Sequence, residues 1–201
     1  MTRSYHSPRR AQDAADTRRD ILRAATDLFS ANGYARVTVA EIAKRAGVAP
    51  QTVYSSAGSK SEILHEVVSE SIARSDAASA TEAIRRTEDV AAAITVLARG
   101  TRMGNESEQQ VVEVLFAAIP AHENGAALWE HSTESYRRAL RDTAEHLRDK
   151  GLLKIDVEKA ADVLWFCFGF GAWRTLVKEC GWSWDEAEAW LARQAIAMLT
   201  K

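Results

Sequence analysis

Residues 38–54 read TVAEIAKRAGVAPQTVY, an alanine-rich stretch with a glycine at position 47 and a proline three residues later. Thr38 and Glu41 have the spacing of a capping box, which predicts that a helix begins at Thr38. Gly47 predicts the end of that helix after about two turns. Pro50 predicts the first turn of another short helix, because proline has no amide hydrogen to lose there. Two short helices joined by a tight glycine turn are typical of a helix-turn-helix.

The flanking segments extend this motif to a small helical head. An amphipathic helix precedes it and is predicted to end near Asn32 and Gly33. The apolar face of that helix contains Ile21, Leu22, Ala25, Leu28 and Phe29. Ser59 and Glu62 repeat the capping box and predict the start of a fourth helix. The polar residues 1–16 are predicted to form a flexible arm.

The third helix, predicted from Pro50 to about Ser55, leaves a polar face outward. Ala43 is small enough for the second and third helices to cross closely, and Val53 is predicted to face the core. The side chains that remain outside can hydrogen-bond base edges or phosphates. They are Gln51, Thr52, Ser55 and Ser56. An ordinary helical hairpin is the alternative, because such turns between helices are common.

Charge is distributed unevenly along the chain. The formal net charge is −2 over 201 residues, but residues 1–60 carry ten Lys or Arg and five Asp or Glu. The head is therefore net +5, and residues 61–201 are net −7. A basic head on an acidic body favours contact of one end with a polyanion. On charge alone, an accidental surface imbalance explains the pattern equally well.

The composition predicts an all-α protein. Ten glycines and three prolines are few, alanine is abundant, and β-branched residues form no alternating runs. Beyond the head, long helices are predicted at about 88–103, 106–119, 121–150, 157–180 and 184–200, which gives about nine helices in all. A third capping box, Ser183 with Glu186, begins the last one. We therefore predict a helix-turn-helix DNA-binding domain with its arm at 1–60 and a helical ligand-binding and dimerisation domain at 61–201.

The sequence gives no indication of a membrane or secreted protein. The basic segment MTRSYHSPRR at residues 1–10 is not followed by the apolar stretch of a secretory signal. The longest nearly continuous apolar run, residues 163–173, is shorter than the roughly 20 residues that a bilayer crossing needs. Cys167 and Cys180 fall in one predicted helix, too far apart for a disulfide. We predict a cytoplasmic protein with two buried, reduced thiols and no membrane partner.

The predicted helix 157–180 carries large apolar groups on more than one face, so both sides of it are expected to be buried. Either a two-fold interface with the last helix or a single large monomeric core would account for this. The candidate interface residues are Phe166, Phe170, Trp173, Trp190 and Ile196. A ligand cavity among the middle helices is predicted, although each of its lining residues also suits an ordinary core. These lining residues are Leu97, Met103, Phe116, Trp129, Tyr136 and Trp165.

Residues 38–60, with the amphipathic helix before them, resemble the DNA-binding head of TetR-family transcriptional regulators. The family pattern is a Thr-started helix, Ile-Ala, Ala-Gly-Val, Thr-Val-Tyr and then Ser-Lys at the fourth helix. In this chain the pattern is met by Thr38, Ile42-Ala43, Ala46-Gly47-Val48, Thr52-Val53-Tyr54 and Ser59-Lys60. The resemblance covers about a quarter of the chain and is specific because so many positions agree.

The resemblance implies a ligand-responsive DNA-binding regulator, most simply a repressor. The implied DNA-binding residues are Thr38, Pro50, Gln51, Thr52, Tyr54, Ser55 and Lys60. Among them, Thr38, Tyr54 and Lys60 are expected to contact phosphates, and Gln51 and Thr52 with their neighbours are expected to enter the major groove. The resemblance also implies a homodimer built through the last two helices on a near-palindromic double-stranded DNA operator, which favours the two-fold interface. A largely apolar small-molecule inducer in the predicted cavity would release the DNA.

Three positions depart from the family pattern: Ala49, Pro50, which fixes the backbone and offsets part of the lost cap, and Ala57. Ala49 stands where a serine often caps the third helix, and the missing cap costs about 1 kcal/mol. Ala57 replaces an aromatic residue, usually phenylalanine, between Tyr54 and Lys60. These departures keep a second hypothesis open, a dimeric small-molecule-binding helical protein without DNA readout.

An enzyme is the third hypothesis. Glu62 and His65, followed by Glu66, have the spacing of a carboxylate-bridged di-iron helix in a ferritin-like bundle. That chemistry needs a second such motif, and none of the other four histidines has a glutamate three residues before it. No nucleophile elbow, phosphate loop or paired zinc spacing occurs either. We predict a protein that is not an enzyme and needs no metal or cofactor.

Overall fold

The computed structural model describes the backbone of residues 8–74 and 77–200 and the side chains of residues 12–74 and 81–200. Every regular element in these ranges is helical, which confirms the all-α prediction. The α-helices are α1 (Pro8–Asn32), α2 (Val39–Ala46), α3 (Pro50–Ala57), α4 (Lys60–Arg74), α5 (Ala77–Arg85), α6 (Val90–Ser107), α7 (Gln109–Ala118), α8 (Gly125–Asp149), α9 (Val157–Phe168), α10 (Phe170–Trp173) and α11 (Trp184–Thr200). No helix among those described is long and apolar enough for a bilayer crossing.

The two short helices of the head begin and end where their capping residues predict. The hydroxyl of Thr38 accepts a hydrogen bond from the amide of Glu41 at 3.3 Å, and the Glu41 carboxylate accepts from the amide of Thr38 at 2.8 Å. Gly47 ends α2 in the left-handed conformation, with φ of 72°. Pro50 occupies the first turn of α3. The predicted helix-turn-helix is therefore confirmed.

The turn between α3 and α4 depends on Gly58. Its φ of 80° lies in the region that favours glycine, and an added Cβ would lie 2.5 Å from Oε2 of Glu62. That carboxylate is fixed because it accepts from the Ser59 amide at 2.7 Å, while the Ser59 hydroxyl accepts from the Glu62 amide at 3.3 Å. The second predicted capping box is confirmed, and it starts α4 at Lys60.

The chain divides into two compact units. The first contains the residues up to Ala73 together with Gln110–Trp129, and the second contains Arg74–Gln109 together with Glu130 and everything after it. Residues 1–60, the predicted head, fall within the first unit. In that unit α2 and α3 pack on α1 and on each other around side chains that are at most 1% exposed. These core side chains include Ile21, Phe29, Ile42, Ala43 and Val53.

Two helical segments differ from the sequence-based expectation. α1 begins at Pro8, inside the predicted flexible arm, so the arm prediction is wrong for residues 8–16. The first half of α1 is stabilised by local contacts: Gln12 donates to Asp16 at 3.1 Å, and the Thr17 hydroxyl donates to the Asp13 carbonyl at 2.8 Å. Residues 1–7 lie outside the described residues. The short helix α5 was not predicted at all.

The second unit is built on contacts of α6 with α11 and α5, and of α9 with α11. Its core includes the fully buried side chains of Ile94, Leu140, Leu147, Leu164 and Phe168, each removed from water at a gain of roughly 1.5–3 kcal/mol. The third predicted capping box is confirmed, because the Ser183 hydroxyl accepts from the Glu186 amide at 3.2 Å. Cys167 and Cys180 are both free thiols, as predicted. Cys167 is buried, but Cys180 is exposed because it lies at the end of the π-helical turn, so the prediction of burial is wrong for Cys180. Burial raises the pKa of the Cys167 thiol to about 11.

The helix predicted as one element over 157–180 is broken at Gly169. A Cβ on this glycine would lie 2.6 Å from the carbonyl oxygen of Trp165, so the backbone there approaches too closely for a side chain. After the break come the single turn α10 and a π-helical turn over Arg174–Glu179. The indole N–H of Trp173 donates to the Phe168 carbonyl at 3.1 Å, and the Tyr136 hydroxyl donates to the same oxygen. These side chains satisfy a carbonyl at the point where the helical hydrogen bonds stop.

Candidate DNA-binding site

The outer face of α3 is polar and exposed. Gln51 and Ser55 are exposed, and the Tyr54 side chain is 54% exposed although it is a large aromatic group. On the opposite face, Val53 and Ala57 are buried. α3 is thus held by its apolar face and presents its polar face to water, which is the arrangement that a recognition helix requires.

The remaining predicted DNA contacts surround this face. Thr38 is exposed at the start of α2, and its hydroxyl donates to the Glu41 carboxylate at 2.8 Å. Pro50 is exposed in the first turn of α3, whereas Thr52 is only partly exposed. The Ser55 hydroxyl donates to the carbonyl of Thr52 at 3.1 Å, so a base contact by this hydroxyl would use its lone pairs or break that bond.

Lys60 is more constrained than its predicted role in phosphate binding suggested. Its ammonium donates to the carbonyl of Tyr34 at 3.2 Å and lies 4.4 Å from the centre of the Tyr34 ring. The Tyr34 ring is itself buried, and burial followed by the charge of Glu123 raises the pKa of its hydroxyl. An ammonium has three N–H donors. Lys60 can therefore still donate to a phosphate while its contacts with Tyr34 hold it in place.

A histidine that the sequence did not single out lies behind Lys60 in the first unit. His122 is buried, and its Nε2 lies 2.7 Å from the hydroxyl of Ser61 at the start of α4. Its Nδ1 accepts from the amide of Asn124 at 3.1 Å. Because Nδ1 is an acceptor, the proton of the neutral ring is on Nε2 and is donated to Ser61. The ring also contacts the rings of Tyr34 and His65, at 5.7 and 5.8 Å between centres.

The six residues predicted to line a cavity fall into separate groups. Phe116 and Trp129 pack edge to face in the first unit, 5.6 Å between ring centres. Tyr136 and Trp165 do the same in the second unit, at 5.7 Å. Leu97 is buried in the core of the second unit. Met103 is 61% exposed, so its side chain lies on the surface, and we leave it out of any proposed cavity.

The five predicted interface residues differ in their exposure. Phe166 is 72% exposed, an unusual position for a phenylalanine in a single subunit. Trp190 and Ile196 are partly exposed, and Phe170 packs against Tyr136 at 5.3 Å between ring centres. Trp173 is only 1% exposed and is buried within its own subunit, so its assignment to the interface is wrong. The apolar sequence of this helix predicts that both of its faces are buried, but it does not distinguish the face packed inside the subunit from the face packed against a partner.

The rival metal site finds no support in the part of the chain that the structure describes. Across the described residues, no group of three or more His, Cys, Asp or Glu side chains has the geometry of a metal site. Glu62 is occupied by the capping box at Ser59, which holds the pKa of its carboxyl below the usual range. The spacing that suggested a di-iron helix is thus explained by the start of α4.

Comparison with known proteins identifies the head. Residues 21–67 match the bacterial regulatory proteins of the tetR family. The matched segment contains α2 and α3 with the parts of α1 and α4 that pack beside them. No curated protein matches the chain in sequence.

Several solved structures share the fold over almost the whole chain. The fatty acid degradation regulator FadR from Bacillus halodurans is 18% identical, with a TM-score of 0.74 over 89% of this chain and 94% of that one. The regulator PfmR from Thermus thermophilus is 19% identical, with a TM-score of 0.67 over 89% and 93%. SmeT, the repressor of the Stenotrophomonas maltophilia multidrug efflux pump SmeDEF, is 21% identical in its complex with triclosan, with a TM-score of 0.71 over 92% of both chains.

The fold and the exposed recognition helix define a class: the protein is a helix-turn-helix protein with an all-helical body. Residues 21–67 of this chain are similar to the bacterial regulatory proteins of the tetR family.

Proposed function

We propose that the protein is a ligand-responsive repressor of transcription that binds a near-palindromic operator as a homodimer. The observation that carries this proposal is the outer face of α3. Gln51, Tyr54 and Ser55 are exposed there, while Val53 and Ala57 fix the helix from behind. A single small face of this kind fits the major groove, and two-fold pairing gives the symmetric half-sites of a palindrome.

Phosphate and base contacts divide between different residues in this proposal. Tyr54, Lys60 and the exposed hydroxyl of Thr38 contact phosphates, which give affinity without sequence information. Gln51 reads a base edge, because a carboxamide can pair bidentately with adenine in the major groove. Thr52 and the first turn at Pro50 approach the groove beside it.

Release of the operator by a largely apolar small molecule is the second part of the proposal. The second unit contains a cluster of aromatic rings around Tyr136 that suits such a ligand. The structure of SmeT with triclosan shows that a protein of similar fold takes up a small molecule. This likeness supports an inducer for the present chain.

Electrophoretic retardation of the DNA upstream of the protein's own coding sequence tests DNA binding. We expect retardation at low salt and a steep fall of affinity as salt rises, because each neutralised phosphate releases counterions. Absence of retardation at low salt would refute the repressor and leave the alternative, a dimeric small-molecule-binding protein without DNA readout. That alternative is favoured by Ala49, which gives α3 no side-chain cap.

Three substitutions separate the roles of the contacting residues. Tyr54→Ala and Lys60→Ala are expected to weaken binding to all DNA sequences alike. Lys60→Ala should also reduce the salt dependence, because it removes a charge, whereas Tyr54→Ala should leave the salt dependence unchanged. Gln51→Ala is expected to change which operator base is preferred, with a discrimination loss of roughly 1–3 kcal/mol at that position. Lys154→Ala, an exposed lysine of the second unit, is the charge-matched control and should bind like the wild type.

A further inference from the structure

Asn105, near the end of α6, contains a buried acceptor whose hydrogen-bonding capacity is unused. The side chain is in the core of the second unit, and its Nδ2 donates to the Thr101 carbonyl at 2.8 Å. Its Oδ1 has no hydrogen-bond partner among residues 12–74 and 81–200. A carbonyl only accepts, so the amide nitrogen must face Thr101 and the oxygen is the free end.

The donors around Asn105 are already engaged. The Tyr136 hydroxyl lies within reach of the side chains of Asn105, Thr101 and Trp173, but it donates to the Phe168 carbonyl. The indole N–H of Trp173 donates to the same carbonyl at 3.1 Å. The Thr101 hydroxyl donates to a carbonyl of the preceding turn at 2.9 Å. The described part of the second unit therefore leaves Oδ1 without a donor, a condition that native proteins rarely tolerate without a reason.

An aromatic cluster connects this acceptor to the surface of the second unit. The rings of Tyr136, Trp165 and Phe170 meet edge to face, with centres 5.3 to 6.3 Å apart, and each ring is partly exposed. Trp165 and Phe170 flank the break of α9 at Gly169, Tyr136 packs against both from α8, and the single turn α10 leads from the break to the π-helical turn. Breaks and π-turns of this kind occur frequently at functional sites, because they free backbone and side chains from the regular packing.

We propose that Oδ1 of Asn105 is the acceptor for a hydroxyl or N–H group of the effector, and that the effector is a neutral, largely aromatic molecule with one such donor. This assignment rests on the proposed function, since it specifies the chemistry of the inducer. A carboxylate has no donor to offer. A cation is disfavoured by the guanidinium of Arg137, which lies 4.3 Å from the centre of the Trp165 ring.

The acceptor atom is buried from water. The effector therefore reaches it when a ring of the cluster moves, and Tyr136 is the ring whose hydroxyl lies beside Asn105. Burial raises the pKa of Tyr136, because an ionised phenolate would be desolvated there. A neutral donor gains a hydrogen bond there without the cost of burying an ion.

A matched pair of probes isolates the donor. Calorimetric titration of the full-length protein with 2-naphthol and with 2-methoxynaphthalene compares two aromatic molecules, of which only the first can donate. We expect the wild type to bind 2-naphthol about tenfold more tightly, the ratio typical of one hydrogen bond. Asn105→Leu has the same branching without the oxygen and is expected to bind both probes equally. A naphthol preference that survives in Asn105→Leu, or that is absent in the wild type, would refute the proposal.

A second variant and a second readout keep the test decisive. Thermal unfolding checks the fold of Asn105→Leu, and if that variant does not fold, Tyr136→Phe takes its place. Tyr136→Phe retains Asn105 and should retain the naphthol preference, whereas its loss would assign recognition to the tyrosine hydroxyl and overturn the proposal. A gel-retardation experiment with operator DNA and the same wild-type preparation tests the repressor hypothesis separately from the Asn105 hypothesis. DNA binding without naphthol preference refutes this inference alone, and naphthol preference without DNA binding refutes the repressor alone.

Discussion

His122 uses both ring nitrogens inside the first unit, and each bond joins a different segment. Nε2 donates to Ser61 in the first turn of α4, and Nδ1 accepts from the backbone of Asn124 before α8. Buried polar groups in such a network are costly to leave without a partner. His122 therefore links the turn between α7 and α8 to the helix whose first residue is Lys60.

Removal of the Ser61 hydroxyl tests this link. Ser61→Ala leaves the Nε2–H of His122 buried without its partner, so we expect the free energy of unfolding to fall by about 1–3 kcal/mol in urea denaturation.

His122→Asn should lower the free energy of unfolding by less than His122→Leu does, because an asparagine oxygen can still accept from the Asn124 amide in an Asx-turn. Equal losses for the asparagine and leucine variants would show that the Nδ1 bond contributes nothing.

Local spacing predicted the helix starts and ends that shape the exposed face of α3, whereas it did not predict contacts between residues far apart in the sequence. The starts and ends of α2 and α3 depend on Thr38, Gly47 and Pro50. The contacts of these residues are with neighbours at most four positions away, so the local sequence pattern predicts them. His122 meets Ser61 across 61 positions, and no periodicity reports such a contact. Trp173 was assigned to an interface because its helix is apolar nearly all round, and only packing revealed that its own subunit buries it.

The helix α3 begins without a side-chain cap. Ala49 has the extended backbone of an N-cap, with φ of −74° and ψ of 150°, but provides no side-chain hydrogen bond. Ala49→Ser adds a hydroxyl where the backbone is already suitable, and we expect a gain of about 1 kcal/mol in the free energy of unfolding. Urea denaturation measures it, with Ala35→Ser on the exposed surface outside a cap position as the control. A serine that leaves stability unchanged would show that Pro50 already fixes this turn.

The capping boxes also make helix starts sensitive to acid. Hydrogen bonds from the backbone and side chain of Ser59 lower the pKa of Glu62, so its ionised form is bound more favourably in the folded state. This contribution is present above the pKa of the unfolded chain and is lost as the pH falls through the lower, folded pKa. We expect Glu62→Gln to show a smaller loss of stability than the wild type between pH 6 and about 3 in urea denaturation. Parallel losses in the two proteins would contradict this role.

The break after α9 is a feature of the helix 157–180 that its sequence pattern did not predict. Hydrophobic periodicity gave 157–180 as one helix, and its endpoints lie near the observed start of α9 and end of the π-helical turn. The helix is interrupted where the backbone of Gly169 becomes extended, with φ of −67° and ψ of 163°. The side chains of Tyr136 and Trp173 satisfy the Phe168 carbonyl at this point. Tyr136 is over thirty positions away, so the tertiary contacts that permit the break are invisible to a local pattern.

For the whole molecule, the proposed function requires two copies, because one α3 reads only half of a palindrome. The strongest indication of a partner surface is Phe166, which is 72% exposed on α9. With Trp173 excluded from the candidate interface, Phe166 is its most exposed member. Burial of this ring against a second copy would remove a large apolar group from water, with a gain of roughly 1.5–3 kcal/mol in each subunit.

Phe166→Glu tests the dimer without disturbing the subunit core, since the side chain is already largely in water. We expect light scattering to report half the wild-type mass, because the substitution places two carboxylates in an apolar contact. Operator affinity should fall with it, since each monomer then binds a half-site alone. Met103→Glu is the matched control: Met103 is 61% exposed on α6, lies outside the proposed interface and should leave the dimer intact. If Phe166→Glu remains dimeric while Met103→Glu dissociates, the interface lies on α6, and the pairing through α9 and α11 is wrong.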